Sequence, residues 1–410
     1  MKVHLVTAIF ALTSYIWTDV AVSRPKPKNP LVLESGQEVV SKEIWEIRKQ
    51  ELRNLVQEYV YGFAPENTPA PMVVGALRHS RADYNYKEVI LRLPPWSSDL
   101  SLRLAVFSPI GITRPPVVLS LNKCGNHTVI DDPSITQDTP DFVHGKCKKK
   151  MARGGESDQW SVREIMQEGF ALVTVFPGHL APDSAEHPSK LIEAYQELDK
   201  ETRWGVVAAW AWILSRAMDY IEMDSELDSK KVVVTGLSRR GKAALLAAAL
   251  DERFAVASPH QAGTLGLALI SEPLTESVRQ ITKSYPHWFN QKIKKYRRDV
   301  ENLPVDQNYL SALVAPRPII STAGCNDWWS SNEAAYANLV SLVPVYKFLE
   351  REGFGAVAKI KSSGEMSDFS QVKEMLHFTM CPSGHTQDPV YWKTILRFAK
   401  HQFVSQETQE

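Results

Sequence analysis

Between Lys42 and Gly62 the apolar residues Ile44, Trp45, Ile47, Leu52, Leu55, Val56 and Tyr59 recur at helical spacing, which predicts an amphipathic helix. Two alternating runs follow, "KEVILRL" and "LSLRLAVFSP", and predict a hairpin or antiparallel sheet edge. The pattern then changes. "PPVVLSL", "FALVTVFP", "KVVVTG", "RFAVASP" and "RPIISTAG" are short, nearly continuous apolar runs, as expected of strands buried on both faces. Helical stretches separate them: "WSVREIMQEG", "TRWGVVAAWAWILSRAMDYIE", "RRGKAALLAAALDE" and "NEAAYANLVSLVPVYKFLERE". This alternation predicts an α/β fold, a mostly parallel sheet between two helix layers with right-handed crossovers.

The boundaries follow from the flanks. "MKVHLVTAIFALTSYIWTDVAVS" places Lys2 before an apolar stretch from Leu5 to Trp17 and small residues at Ala21 and Ser23, the order of a secretory signal peptide. Residues 1–25 are therefore read as a signal peptide, 26–40 as a Pro/Lys linker and 41–405 as one domain with decorated loops. A secreted or periplasmic protein is expected, with no membrane contact beyond the signal. The stretch 122–159 is long, polar and irregular, and loops of that length are functional or disordered. Its lysine-rich "HGKCKKK" reads as a solvated loop.

Composition removes some functions. The 410 residues carry 47 basic and 47 acidic side chains, so no electrostatic footprint for nucleic acid is present. Four cysteines, Cys124, Cys147, Cys325 and Cys381, lack the CxxC spacing of a zinc site; neither a metal nor a cofactor is expected. Nothing calls for a second copy, and a monomer is expected.

The chemistry centres on "KKVVVTGLSRRGKAALLAAALDERFAVASPHQAG". Ser238 stands where a strand ends and a helix begins, and function in α/β sheets gathers at such carboxyl ends. A sharp turn there lifts the hydroxyl above the sheet, as in the G-x-S-x-G elbow. The match is imperfect, because Arg240 occupies the second glycine's place and Gly241 comes one residue late. A serine N-cap on an alanine-rich helix is the competing reading.

The longer block resembles the G-C-S-R-x-G-K signature of glucuronoyl esterases, carbohydrate esterase family 15. "LNKCGNHTV", "RGGESDQWSVREIMQEGFALVTVFPG", "YPHWF", "LPVDQNYLSALVAPRP", "NDWW" and "CPSGH" are similar to that family's other blocks, in its order, with the bacterial branch the nearer likeness. The resemblance implies an α/β-hydrolase fold and hydrolysis of esters on the carboxyl of glucuronic or 4-O-methyl-glucuronic acid, as in lignin–xylan linkages. The implied partner is a glucuronate-bearing polysaccharide.

Site residues follow from both sources. A serine nucleophile needs a base, and His385 in "CPSGHTQDP" precedes the final helix, where α/β hydrolases carry their histidine. His127, His179 and His260 also stand near expected strand ends, with structural roles the plainer reading. Relatives place the third member of the triad at one of two positions. One is Gln261 here, which carries no charge; the other is Asp327, after Asn326, so Asp327 is the expected acid. The resemblance assigns Arg239 to the oxyanion and Lys242, Trp329 and Glu276 to the sugar. Leu237, Gln261 and Asn308 depart from the family pattern and bear on substrate preference. If Asp327 and His385 meet, Cys325 and Cys381 come close, and a Cys325–Cys381 bridge is expected, leaving Cys124 and Cys147 to close the long insert. Two other functions compete: an esterase on another carbohydrate ester such as acetyl-xylan, and a non-catalytic carbohydrate-binding homologue.

Overall fold

The computed structural model describes residues 27–195, 202–351, 358–359, 374–381 and 383–407. The signal-peptide reading lies outside the described residues. One ten-stranded sheet organises the chain. Its strands are β1 (Met72–Ser80), β2 (Tyr84–Arg92), β3 (Ser101–Pro109), β4 (Pro116–Leu121), β5 (Ala171–Val175), β6 (Asp228–Leu237), β7 (Val256–His260), β8 (Ile319–Gly324), β9 (Ala358–Lys359) and β10 (Leu376–Cys381). They lie in the order β1-β2-β3-β5-β4-β6-β7-β8-β10-β9. The expected antiparallel edge is present, since β2 pairs antiparallel with both β1 and β3, while β5, β4, β6, β7, β8, β10 and β9 run parallel to one another.

The continuous apolar runs are explained by burial on both faces. Along β4 and β6 the side chains alternate between two cores: Val117, Leu119, Val232 and Val234 enter one, Val118 and Val233 the other. The first core is closed by the helices Val206–Met223 and Arg239–Leu250, the second by Val162–Gln167 and Pro389–Glu407. This is the three-layer arrangement of an α/β hydrolase. The stretch read as one helix after Trp329 divides into Asn332–Ser341 and Val343–Phe348, with Pro344 in the first turn of the second. Strand β1 escaped the pattern reading because it is an edge with Met72, Val73, Val74 and Leu77 exposed.

Two expectations are corrected. Residues 27–40 do not behave as a free linker. Val39 is buried in the core, the Asn308 amide donates to the Lys28 carbonyl at 2.6 Å, and Arg48 Nε donates to the Pro30 carbonyl at 3.2 Å. Asn308 thus anchors this segment. The Cys325–Cys381 bridge is also absent, and both cysteines are free, although their backbones meet through a 2.8 Å hydrogen bond from Cys325 N to Cys381 O. Cys381 pairs in register with Gly324, so Cys325, one residue further, projects the opposite way. Cys325 is exposed, whereas Cys381 is buried against Ser383. The bridge that forms is Cys124–Cys147, with Cα atoms 5.3 Å apart.

Candidate active site

Strand β6 ends at Leu237 and the helix Arg239–Leu250 starts two residues later, leaving Ser238 alone in the turn at φ 61°, ψ −124°. A non-glycine residue there is strained, and strain of that kind collects at functional sites. The turn closes by backbone approach. A Cβ on Gly236 would lie 2.6 Å from the Arg240 carbonyl, and one on Gly241 2.7 Å from the Gly236 oxygen and 2.8 Å from the His260 oxygen. The late glycine of the sequence is therefore the position the packing demands. The Ser238 side chain does not cap the helix, contrary to the N-cap reading.

The ends of β8 and β10 bring the other two residues together. Asn326 N donates to the Ser383 carbonyl at 3.0 Å, and Gly324 lies so close to the 383–384 backbone that a Cβ would sit 2.4 Å from the Gly384 oxygen. His385 Nδ1 then reaches Asp327 Oδ2 at 2.7 Å. Asp327 is buried and also accepts from the Ser330 hydroxyl. Burial pushes its carboxyl up, but the hydrogen bonds from His385 and Ser330 and the histidine charge outweigh this and hold it below the ordinary range. An ionised Asp327 places the proton on His385 Nδ1 and leaves Nε2 as the basic nitrogen.

Ser238, Arg239 and His385 line one cavity of about 280 Å³, shared with Leu121, Lys123, His144, Lys146, Lys150, Glu156, Gln159, Trp160, Asp183, Leu237, Arg240, Thr386 and Gln387. No hydrogen bond joins Ser238 to His385 among the described residues; such contacts commonly tighten only with substrate bound.

With a hydroxyl on a strained turn, an acid-backed imidazole and a helix N-terminus facing one cavity, acyl transfer through a serine ester is the chemistry available. A sequence model described as "Glucuronyl esterase, fungi" matches residues 155–350. The carbohydrate esterase MZ0003 of an unknown prokaryotic organism is 32% identical over 390 residues, covering 91% of this chain and 88% of that one. The chain belongs to the glucuronoyl esterase family. A 4-O-methyl-glucuronoyl methylesterase of Schizophyllum commune is 36% identical over 163 residues, 37% of this chain and 42% of that protein. A solved structure of a promiscuous family 15 carbohydrate esterase from a marine bacterial metagenome superposes with a TM-score of 0.82 at 30% identity, covering 93% of this chain and 98% of the other.

Within this glucuronoyl-esterase fold, Arg239 is held from three sides. Its Nη1 meets Asp183 Oδ2 at 2.5 Å, and its guanidinium lies 4.4 Å over the Trp288 ring and 4.8 Å over Tyr285. Asp183 also accepts from Trp288 Nε1 at 2.8 Å and His287 Nε2 at 3.1 Å. Burial raises this carboxyl, but the bond from His287 and the charges of Arg239 and Arg240 overcome it and keep it well below the ordinary range. Sequence reading missed Asp183, since nothing in "APDSAEHPSK" marks it apart from other loop acids.

Lys242, Glu276 and Trp329 do not line the cavity; they gather beside it. Lys242 Nζ donates to the carbonyls of Ala262 and Thr264, each at 2.5 Å, and burial pushes its ammonium down to about 8. Glu276 is raised above its ordinary range by burial, although Lys242 and Arg239 act against this, and the Trp329 side chain bonds to it. Trp329 is exposed, as is Trp328, which sequence reading did not single out.

The other histidines singled out in the sequence, His127, His179 and His260, do not line the cavity. His127 accepts from Asp138 N at 3.1 Å through Nδ1 and donates from Nε2 to the Met151 carbonyl at 2.9 Å; His179 pairs with Asp138 at 3.3 Å. His260 is buried between Thr322 and the Thr386 carbonyl, 2.7 Å from Nε2, and burial pushes it down to about 4, so it stays neutral. Beside it Gln261 Nε2 donates to the Gly384 carbonyl at 2.9 Å. His260 and Gln261 thus clamp the residues on either side of His385, a positioning role with no sequence signal beyond their adjacency.

Proposed function

We propose that this protein is an exported serine esterase that hydrolyses esters on the carboxyl of glucuronic or 4-O-methyl-glucuronic acid, as in lignin–xylan linkages. One observation carries the reading: Ser238 on its strained elbow faces the same cavity as His385, whose Nδ1 is bonded to the buried Asp327. Ser238 Oγ attacks the uronate carbonyl carbon while His385 Nε2 takes its proton. The Arg239 N–H, first in its helix and without an intrahelical acceptor, faces the developing oxyanion, and the clamped guanidinium adds positive charge. Collapse breaks the ester C–O bond, and the imidazolium returns its proton to the departing alcohol. Water, deprotonated by His385, then cleaves the acyl-serine and releases the uronic acid.

Lys242, Glu276 and Trp329 receive the hydroxyls and face of the uronate ring, an exposed indole beside a buried carboxylate being suited to a pyranose. Export accords with the Cys124–Cys147 bridge, since disulfides persist in oxidising compartments. Among the described residues no helix is long and apolar enough to cross a membrane.

The test compares turnover of benzyl glucuronate, its 4-O-methyl form and p-nitrophenyl acetate, with Ser238→Ala as control. Hydrolysis of the glucuronates, lost in Ser238→Ala, is expected. Hydrolysis of the acetate alone would replace this reading by a general carbohydrate esterase. Absence of all turnover together with no labelling by a fluorophosphonate would leave a non-catalytic homologue.

A further inference from the structure

The lysine-rich segment is not a solvated loop throughout. The Cys124–Cys147 bridge pins it over the elbow, and the residues preceding the two cysteines, Lys123 and Lys146, both line the cavity, as does Lys150. Arg240 enters from the elbow helix. Some of this charge is compensated: Lys123 meets Glu156 at 2.9 Å, Lys150 meets Asp158 at 3.5 Å, and Arg239 meets Asp183. Lys146 and Arg240 have no carboxylate at ion-pair distance among the described residues, although the charges of Asp183 and Glu156 reach Arg240 from further off, and Arg240 Nε is buried without a hydrogen-bond partner. His144 turns its Nε2 towards Asp183 Oδ2, 3.8 Å away. Its Nδ1 accepts the Lys146 N–H at 3.2 Å, and burial pushes it down to about 4, so a neutral ring carries its proton on Nε2. In a chain of zero formal net charge, this wall is a local excess of positive charge beside the reacting serine.

We propose that the cavity is a subsite for an anionic group, a carboxylate or a sulfate, borne by the alcohol portion of the ester. The proposal rests on the function proposed above: with the uronate ring held by Lys242, Glu276 and Trp329, all outside the cavity, the leaving alcohol occupies the space lined by Lys146 and Arg240. The substrates are then esters joining a uronate to an acidic saccharide or acidic aromatic alcohol. A cleft of one charge sign raises the encounter rate with an oppositely charged ligand and discriminates against neutral ones.

The experiment compares kcat/KM for benzyl, 4-carboxybenzyl and 4-sulfobenzyl glucuronates in wild type and in Lys146→Gln, an exposed position. Wild type is expected to favour the two anionic esters about tenfold at low salt, with the preference shrinking as salt screens the cleft. Lys146→Gln should reduce that preference about fourfold, the scale of one unit charge at close range in water-like surroundings. Preference for the carboxylate or the sulfonate alone would name the source of the charge. Equal kcat/KM for all three esters, or an unaltered preference in Lys146→Gln, would overturn the subsite. Binding of the same esters to Ser238→Ala, followed by tryptophan fluorescence, separates the two proposals. Tighter binding of the anionic esters there supports the subsite even where wild type turns over none of them, a failure belonging to the proposed reaction; equal binding overturns the subsite.

Discussion

Replacing Asp327 by asparagine tests the core of the site. Asp327 Oδ2 accepts from His385 Nδ1 at 2.7 Å and from the Ser330 hydroxyl, so one carboxylate oxygen serves both donors. Asparagine with its carbonyl oxygen at that place keeps both bonds and the His385 tautomer, and loses only the negative charge. A unit charge about 4 Å from an imidazolium contributes about 4 kcal/mol at an effective dielectric near 20, or about 10³-fold in rate. Asparagine with its nitrogen toward the ring would reverse the tautomer, and the loss would approach about 10⁴-fold. The expected outcome is thus a kcat on benzyl glucuronate lower by about 10³- to 10⁴-fold, with KM little changed. Steady-state kinetics on protein verified as folded by circular dichroism measures this. A variant that is folded and keeps kcat within about tenfold of wild type would mean another group supports the base, and the reasoning from the 2.7 Å contact would fail.

Three further outcomes are expected. Asp183→Asn removes the charge that fixes Arg239 and should lower kcat by about 10- to 100-fold with KM nearly constant; a rise confined to KM would show that Arg239 binds ground-state substrate instead. Gln261→Glu exchanges the donor to the Gly384 carbonyl for a repelled carboxylate, so it should cost about tenfold in kcat through misplacement of His385 and should not rescue Asp327→Asn; recovery of activity in the double variant would refute the clamp. Replacing Cys124 and Cys147 by serine opens a link spanning 23 residues and should lower unfolding free energy by about 3 kcal/mol, read from urea titration; an unchanged midpoint would refute it.

Much of the frame was written locally. Runs such as "VVVTG" and "PIISTAG" state burial on both faces without reference to the rest of the chain, because a strand apolar at successive positions must be covered on each side. Ser238 was legible as a serine between a strand and a helix, but its imperfect elbow motif left an N-cap open and the resemblance of the longer block carried it. That Gly236 and Gly241 stand where the backbone has no room for a side chain is seen only in the fold. Asp327 and His385 were placed by resemblance to a family whose motifs follow strand ends, and the sheet order sets those ends side by side. The linker, the cysteine pairing and the lysine-rich loop needed the tertiary structure. Whether Cys325 meets Cys381 depends on register, since neighbouring backbones one residue apart send side chains to opposite faces. That Asp183 holds Arg239, and that Lys146 and Arg240 share a cavity with Ser238, depends on loops more than forty residues apart in sequence meeting over one turn. Hydrophobic periodicity and turn chemistry act between near neighbours and are visible in a string of residues. The pairing of charges across loops is decided by the path each loop takes once the cores have formed, and a composition of equal acids and bases contains no record of it.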